Sequence, residues 1–196
     1  MALKYAYHPG NVAHSSAPEV ADTMPTTALS LGIELIPLVG ATSCGAGIIR
    51  QANDVLQVTL NARTLAMAES MGLDIVTPCA ATAGNLHEDL TRLRNDPLLL
   101  AKTNDLLERT SGLSLKGDVS VHHLLHIIVD EIGLDKVKAK LRNPMRFNIA
   151  GYYGPNIQQE GACGEDDTYD PDYLERLIEA LGGTPVSWEC RTQSVG

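Results

Sequence analysis

The stretch Leu31–Gly47, LGIELIPLVGATSCGAG, constrains the fold more than any other part of the chain. Ile33, Leu35, Ile36, Leu38 and Val39 form a short apolar run between Gly32 and Gly40, the pattern of a strand covered on both faces. Only small residues follow, from Ala41 to Gly47, before a helical pattern begins. A loop of this kind lets backbone approach a ligand closely and leaves the next helix's first N–H groups pointing at whatever sits there. Its outline returns in Leu181–Gly196, LGGTPVSWECRTQSVG, where Ser194-Val195-Gly196 answers Ser43-Cys44-Gly45.

Around that stretch the pattern alternates. Lys4–His8 reads as a strand ended by Pro9-Gly10, and Ala17–Leu31 as a helix disturbed by Pro25. Ile48–Met71 has unbroken helical spacing and is stopped by Gly72; Leu73–Val76 is a further strand, and Ala80–Arg94 and Pro97–Thr110 are helices. Asp118–Val121 is expected as a strand and His122–Ile132 as an amphipathic helix ended by Gly133. This β-α-β-α-β-α order predicts an α/β fold, a parallel sheet with helices on both faces.

Phe147–Tyr153 opens a second unit. NIAGYYGP (148–155) matches KYAYHPGN (4–11), which aligns Asn11 with Pro155 as Ser43 aligns with Ser194, so a module of about 145–150 residues is repeated. The second copy holds its first strand, an acidic loop, a helix over Pro171–Leu181 capped by Asp170, and the strand Thr184–Trp188. The expected organisation is a first module over 1–145 and an incomplete second one over 146–196 that packs on it, too small to stand alone.

A net charge of −9 provides no basic stripe for nucleic acid. No segment has the apolar length of a membrane span. Cys44, Cys79, Cys163 and Cys190 without a secretory signal fit a reducing cytoplasm better than a disulfide framework.

Taken together, YHPG, SAPE, LGIEL, CGAG, NARTLAMAE, GLDIVTPC, HHLLH, YYGP and LIEALGGTPVSW carry a resemblance. The chain resembles the B component of heterodisulfide reductase and its relatives, the CCG or cysteine-rich domain proteins, over essentially its whole length. The resemblance implies a duplicated three-layer module and an oxidoreductase assembly that transfers electrons. A complete module of that family can hold an iron–sulfur cluster on five cysteines, and its members work beside a ferredoxin-like C subunit and a flavin-containing A subunit.

Carried over position by position, the first module's cluster ligands fall on Asn11, Ser43, Cys44, Cys79 and Thr82, two of them thiols. In the second module they fall on Pro155, Ser194 and Val195, none of them a thiol. Clusters need thiolates, so the resemblance implies a degenerate chain with no cluster, not catalytic alone, that serves as a structural or partner-binding subunit. Two alternatives stand beside this one. Electrons could pass through a reduced-ligand iron–sulfur cluster or a Cys44/Cys79 dithiol, or Cys44 and Cys79 could hold zinc with His8, His14 or His87.

Other motifs signal less. His122 and His126 are one helical turn apart, yet HHLLH lacks the glutamate of the zincin motif. Gly45-Ala46-Gly47 opens like a dinucleotide fingerprint, but Arg50 stands at the third glycine. The acidic loop Glu160–Asp170 lacks the ligand alternation of an EF-hand and reads as a solvated surface. Cys190, beside Trp188, is expected to be buried filler.

Overall fold

A computed structural model of the chain describes residues 2–14, 16–159, 161 and 164–194, residue 14 by its backbone alone. Val195 and Cys163, singled out above, lie outside the described residues. Strands β1 (Leu3–Tyr7), β2 (Ile33–Pro37), β3 (Ile75–Thr77) and β4 (Val121–His123) form one sheet in the order β2-β1-β3-β4. Every pairing in it is parallel, with β1 between β2 and β3.

Alternation along the strands sorts side chains into two apolar layers. Ala6 and Ile75 face α3 (Asp54–Ser70), α4 (Ala80–Asn95) and α5 (Pro97–Ser111), where Val58, Leu65, Leu86, Leu90 and Leu107 are buried. Tyr5, Tyr7 and Val76 face the other way, toward Ala28 of α1 (Pro18–Leu31) and Ile127 of a π-helical turn, Ile127–Ile132. The result is the three-layer α/β module. Pro25 lies inside α1, which begins at Pro18.

The single helix expected over Ile48–Met71 is two helices, α2 (Ile48–Ala52) and α3. Asn53 breaks it: its backbone is extended and its side chain accepts the Leu56 N–H at 3.0 Å, an N-cap that competes with helix continuation. The helix expected to start at His122 starts at Leu124. His122 and His123 are strand residues, because Val76 and Thr77 pair with them in β4. Their backbone is committed to the sheet before the three-residue α6 (Leu124–His126) begins. A further helix, α7 (Leu134–Lys140), follows Gly133.

In the C-terminal segment β5 (Asn148–Ile149) pairs in parallel with β6 (Thr184–Pro185). The Thr184 N–H donates to the Phe147 carbonyl and the Val186 N–H to that of Ile149, at 2.8 and 2.9 Å. Side chains join the segment to the rest: Tyr153, Ile157 and Tyr173 form one buried cluster with Leu125 and Val129. Helix α8 (Tyr173–Ala180) starts later than Pro171, and its first N–H groups are held by Asp166, not Asp170. Asp170 pairs with Arg191. Cys190 is exposed, correcting the expectation of a buried one. Among the described residues no helix is long and apolar enough to cross a membrane.

Candidate functional site

The sheet order fixes where a site can form. The chain leaves β1 toward β2 on one side and returns to β3 on the other, so the loops after β1 and β3 diverge from a switch point at the strands' carboxyl ends. Gly10 stands in the first of these loops and Cys79 in the second. Gly10 has φ +85°, and a Cβ built there would overlap the Cβ of Cys79 and lie 3.2 Å from its Sγ. Only a glycine allows the two loops to touch.

The third loop joins them from β2. Cys44, 1% exposed, accepts through its sulfur from the Asn11 amide at 3.8 Å and the Thr82 hydroxyl at 3.5 Å. The same Thr82 hydroxyl is 3.7 Å from the position of a Gly10 Cβ. Asn11, Cys44, Cys79 and Thr82 therefore border one point, with Ser43 next to Cys44. The Ser43 hydroxyl turns to accept the Gly45 N–H at 3.1 Å.

Buried polar groups on the helices hold the loop. Asn61 donates to the Cys44 carbonyl at 3.4 Å and to Asp89 at 2.7 Å. Asp89 has no exposure and is paired with Arg50 at 2.7 Å and Arg92 at 3.3 Å. Burial pushes its carboxyl upward against the pull of those partners. Gln57 takes the Arg50 N–H at 2.9 Å and donates to Asn85 at 3.2 Å, tying α2, α3 and α4 together.

The second module's positions are only partly brought in. Asn156, next to Pro155, packs against α4, where a Cβ on Gly84 would come within 2.7 Å of its carbonyl oxygen. The Tyr153 N–H donates to the Arg191 carbonyl at 2.7 Å and the Tyr152 hydroxyl to that of Gln193 at 2.9 Å, so the chain before the exposed Ser194 runs beside the chain before Pro155.

Of the histidines named for zinc, His8 and His87 are engaged elsewhere. His8 accepts the Gly10 N–H through Nδ1 at 3.0 Å and so donates through Nε2 to the Thr42 carbonyl at 2.9 Å. The side chain of His14 lies outside what the structure describes. His87 belongs to a different cavity, with His122 and His126. Among the described residues no three of His, Cys, Asp or Glu are grouped to hold a metal ion.

An iron–sulfur cluster asks for thiolates on several irons. Two thiols, two hydroxyls and an amide are not that donor set, and the Cys44 sulfur already serves as acceptor for two neighbours. The residues present do not fit the group.

The chain is 29% identical over 170 residues to the B component of the ferredoxin/F(420)H(2)-dependent CoB-CoM heterodisulfide reductase of Methanosarcina acetivorans, covering 85% of this chain and 56% of that one. It is 28% identical over 185 residues to a protein of Archaeoglobus profundus that is itself described as like the B component of heterodisulfide reductase, covering 92% and 62%. The chain is thus similar to the B component of heterodisulfide reductase, HdrB, and to B-like proteins over most of its length. A third relative, the 8-methylmenaquinol:fumarate reductase membrane anchor subunit of Wolinella succinogenes, is 28% identical over 203 residues, covering 100% of this chain and 68% of that one. The chain thus spans a little over half the length of the methanogen reductase components it matches. No family model matches it. The crystal structure of a hypothetical protein from Helicobacter pylori superimposes with a TM-score of 0.69 over 97% of this chain and 34% of that one, at 13% identity, a likeness of fold alone.

The site's four converging positions were all named from sequence. The buried residues that hold them, Gln57, Asn61 and Asp89, were missed. Their signal was a polar residue on the core-facing side of each helical pattern, at Asn61 among Val58, Ala62 and Leu65 and at Asp89 between Leu86 and Leu93.

Proposed function

We propose that this chain is a cluster-free, HdrB-like component of a redox complex that contributes binding surface and architecture rather than chemistry. The observation that carries the reading is the Cys44 sulfur, hydrogen-bonded by Asn11 and Thr82, two positions where the family's pattern places cysteine. A thiol solvated by an amide and a hydroxyl is a finished polar site that needs no metal to complete it. The family's relatives named above are subunits of multi-subunit redox enzymes. We place the chain beside a ferredoxin-like C subunit and a flavin-containing A subunit in the cytoplasm, with residues 146–196 as a partial second module seated on the first.

The deciding experiment is anaerobic purification followed by an absorption spectrum and metal analysis. The expected protein is colourless, with fewer than about one iron per chain. Substituting Asn11→Cys, Ser43→Cys and Thr82→Cys together should give back iron binding. A brown wild-type protein with about four irons would replace this reading with the electron-transfer one, and stoichiometric zinc would replace it with a zinc module at Cys44 and Cys79. Affinity purification of the tagged chain from its own cells should retain the two partner subunits; recovery of the chain by itself would contradict the partner role.

A further inference from the structure

A second cavity, of about 340 Å3, opens beyond the β4 edge of the sheet, away from the thiols. Its polar wall is His87 and Arg94 of α4, Ser120 and His122 at β4, His126 of α6, and Glu165. These residues come from three separate parts of the chain. His126 is only 5% exposed, yet neither of its ring nitrogens makes a hydrogen bond with a described residue. Neither do those of His87 and His122. Ring nitrogens that line an open cavity can take their partners from what enters it.

The wall defines the class of ligand. Three imidazoles, a hydroxyl and a guanidinium are too polar for a hydrocarbon, and the described residues hold no metal-ligating group of three. Arg94 is fixed on the wall, with Nε and one amino group bonded to the carbonyls of Gly117 and Val119 at 2.8 and 2.9 Å. Its other amino group has no partner among the described residues. After burial, Arg94 and His122 hold the His87 imidazole below its ordinary value; at His126 burial also lowers it, opposed by the Asp130 carboxylate and aided to a smaller extent by His122. The carboxylates nearby are largely engaged. Asp130, behind His126, bonds the Tyr173 hydroxyl and the Glu165 N–H. Asp74 accepts the Ser120 N–H at 2.7 Å and lies 3.9 Å from His122. Among the described residues Glu165 alone lines the cavity with a carboxylate.

We propose that this cavity binds a small oxyanion, a phosphate or carboxylate group, between Arg94 and the imidazoles of His87, His122 and His126. The anion would give the ring nitrogens of His87 and His126 partners in the cavity, and these two rings, which burial favours in the neutral form, would take up protons as it binds. Binding at this position is independent of whether the thiol site holds a metal.

The test follows the imidazole signals of the full chain by NMR while sodium sulfate or, in a second arm, sodium succinate is added at pH 6 and at pH 7.5. Sulfate stands in for a phosphate group and keeps its own charge over this range. The expected result is a common saturable shift of the His87, His122 and His126 signals. Affinity should be roughly tenfold higher at the lower pH for each proton taken up per pH unit. Stronger binding of sulfate assigns the site to phosphate groups, and stronger binding of succinate to carboxylates. Arg94→Gln should weaken binding about tenfold, as loss of a charged hydrogen bond does. Because Arg94 also holds two backbone carbonyls, His87→Gln is the second variant: it removes a ring with no hydrogen bond to a described residue and should weaken binding as well. No saturable shift in either arm, which is the behaviour of a cavity filled by water, overturns the proposal. So does an affinity unchanged in both variants.

Discussion

Asn61 and Asp89 meet at 2.7 Å with neither side chain exposed, and the same amide nitrogen reaches the Cys44 carbonyl. One side chain therefore joins a buried ion-pair network to the loop that carries the candidate site. Replacing it by Ala leaves an Asp89 oxygen and the loop without their donor. Asn61→Ala should cost about 2–4 kcal/mol, the range for stranding a buried charged acceptor. Urea unfolding measures this; a loss below about 1 kcal/mol would show that the arginines alone hold Asp89.

Gly10 and Cys79 supply a second test. Gly10→Ala adds a methyl where the Cys79 side chain already lies and forces a left-handed backbone on alanine. A loss of roughly 2–4 kcal/mol is expected. Removing the obstacle with Cys79→Gly should recover part of it in the double variant, leaving the backbone strain of about 1 kcal/mol. Equal losses in the single and double variants would mean that the loops do not meet there.

Acid should loosen the contact between β4–α6 and the C-terminal segment. Burial and, for His123, the neighbouring His126 lower the imidazoles of His123 and His126 from 6.5 to about 4. Unfolded, both rings bind protons near pH 6.5; folded, they resist until about pH 4. Their contribution is full above pH 6.5 and declines as the pH falls toward 4, by on the order of 3 kcal/mol for the deeply buried His126. Unfolding curves between pH 7.5 and 4.5 read the slope. His126→Phe should flatten it, and a slope unchanged by that substitution would assign the acid sensitivity to other groups.

Residues 146–196 should not unfold cooperatively when expressed alone. Tyr153, Ile157 and Tyr173 share their buried cluster with Leu125 and Val129, so an essential part of that core would be missing. A sharp thermal transition monitored by circular dichroism would contradict this.

Much of the fold was legible because local and tertiary signals agree there. Ile33–Pro37, apolar but for Glu34, follows Gly32 and becomes a strand; Pro97 follows the Asp96 cap, and a helix begins. Legibility ended where a single side chain or a distant partner decides. Nothing in the periodicity of Ile48–Met71 reveals that Asn53 will cap a new helix, since its amide competes only once the chain turns. His122 and His123 fit a helical pattern equally well, and pairing with β3 overrides it. The convergence at Cys44 could be read because the resemblance supplied the positions. The cavity at His87 could not, because its walls come from segments brought together only by folding.

Gly84 marks where α4 and the Asn156 carbonyl come within touching distance. A helix usually presents side chains to its neighbours, and here it presents bare backbone, so the two surfaces slide together with nothing to act as a spacer. One added methyl would become a wedge, prising the C-terminal segment outward half a turn of helix away from Thr82 without altering any atom around Cys44. The closeness of α4 to the chain at Asn156 is thus set at a single position.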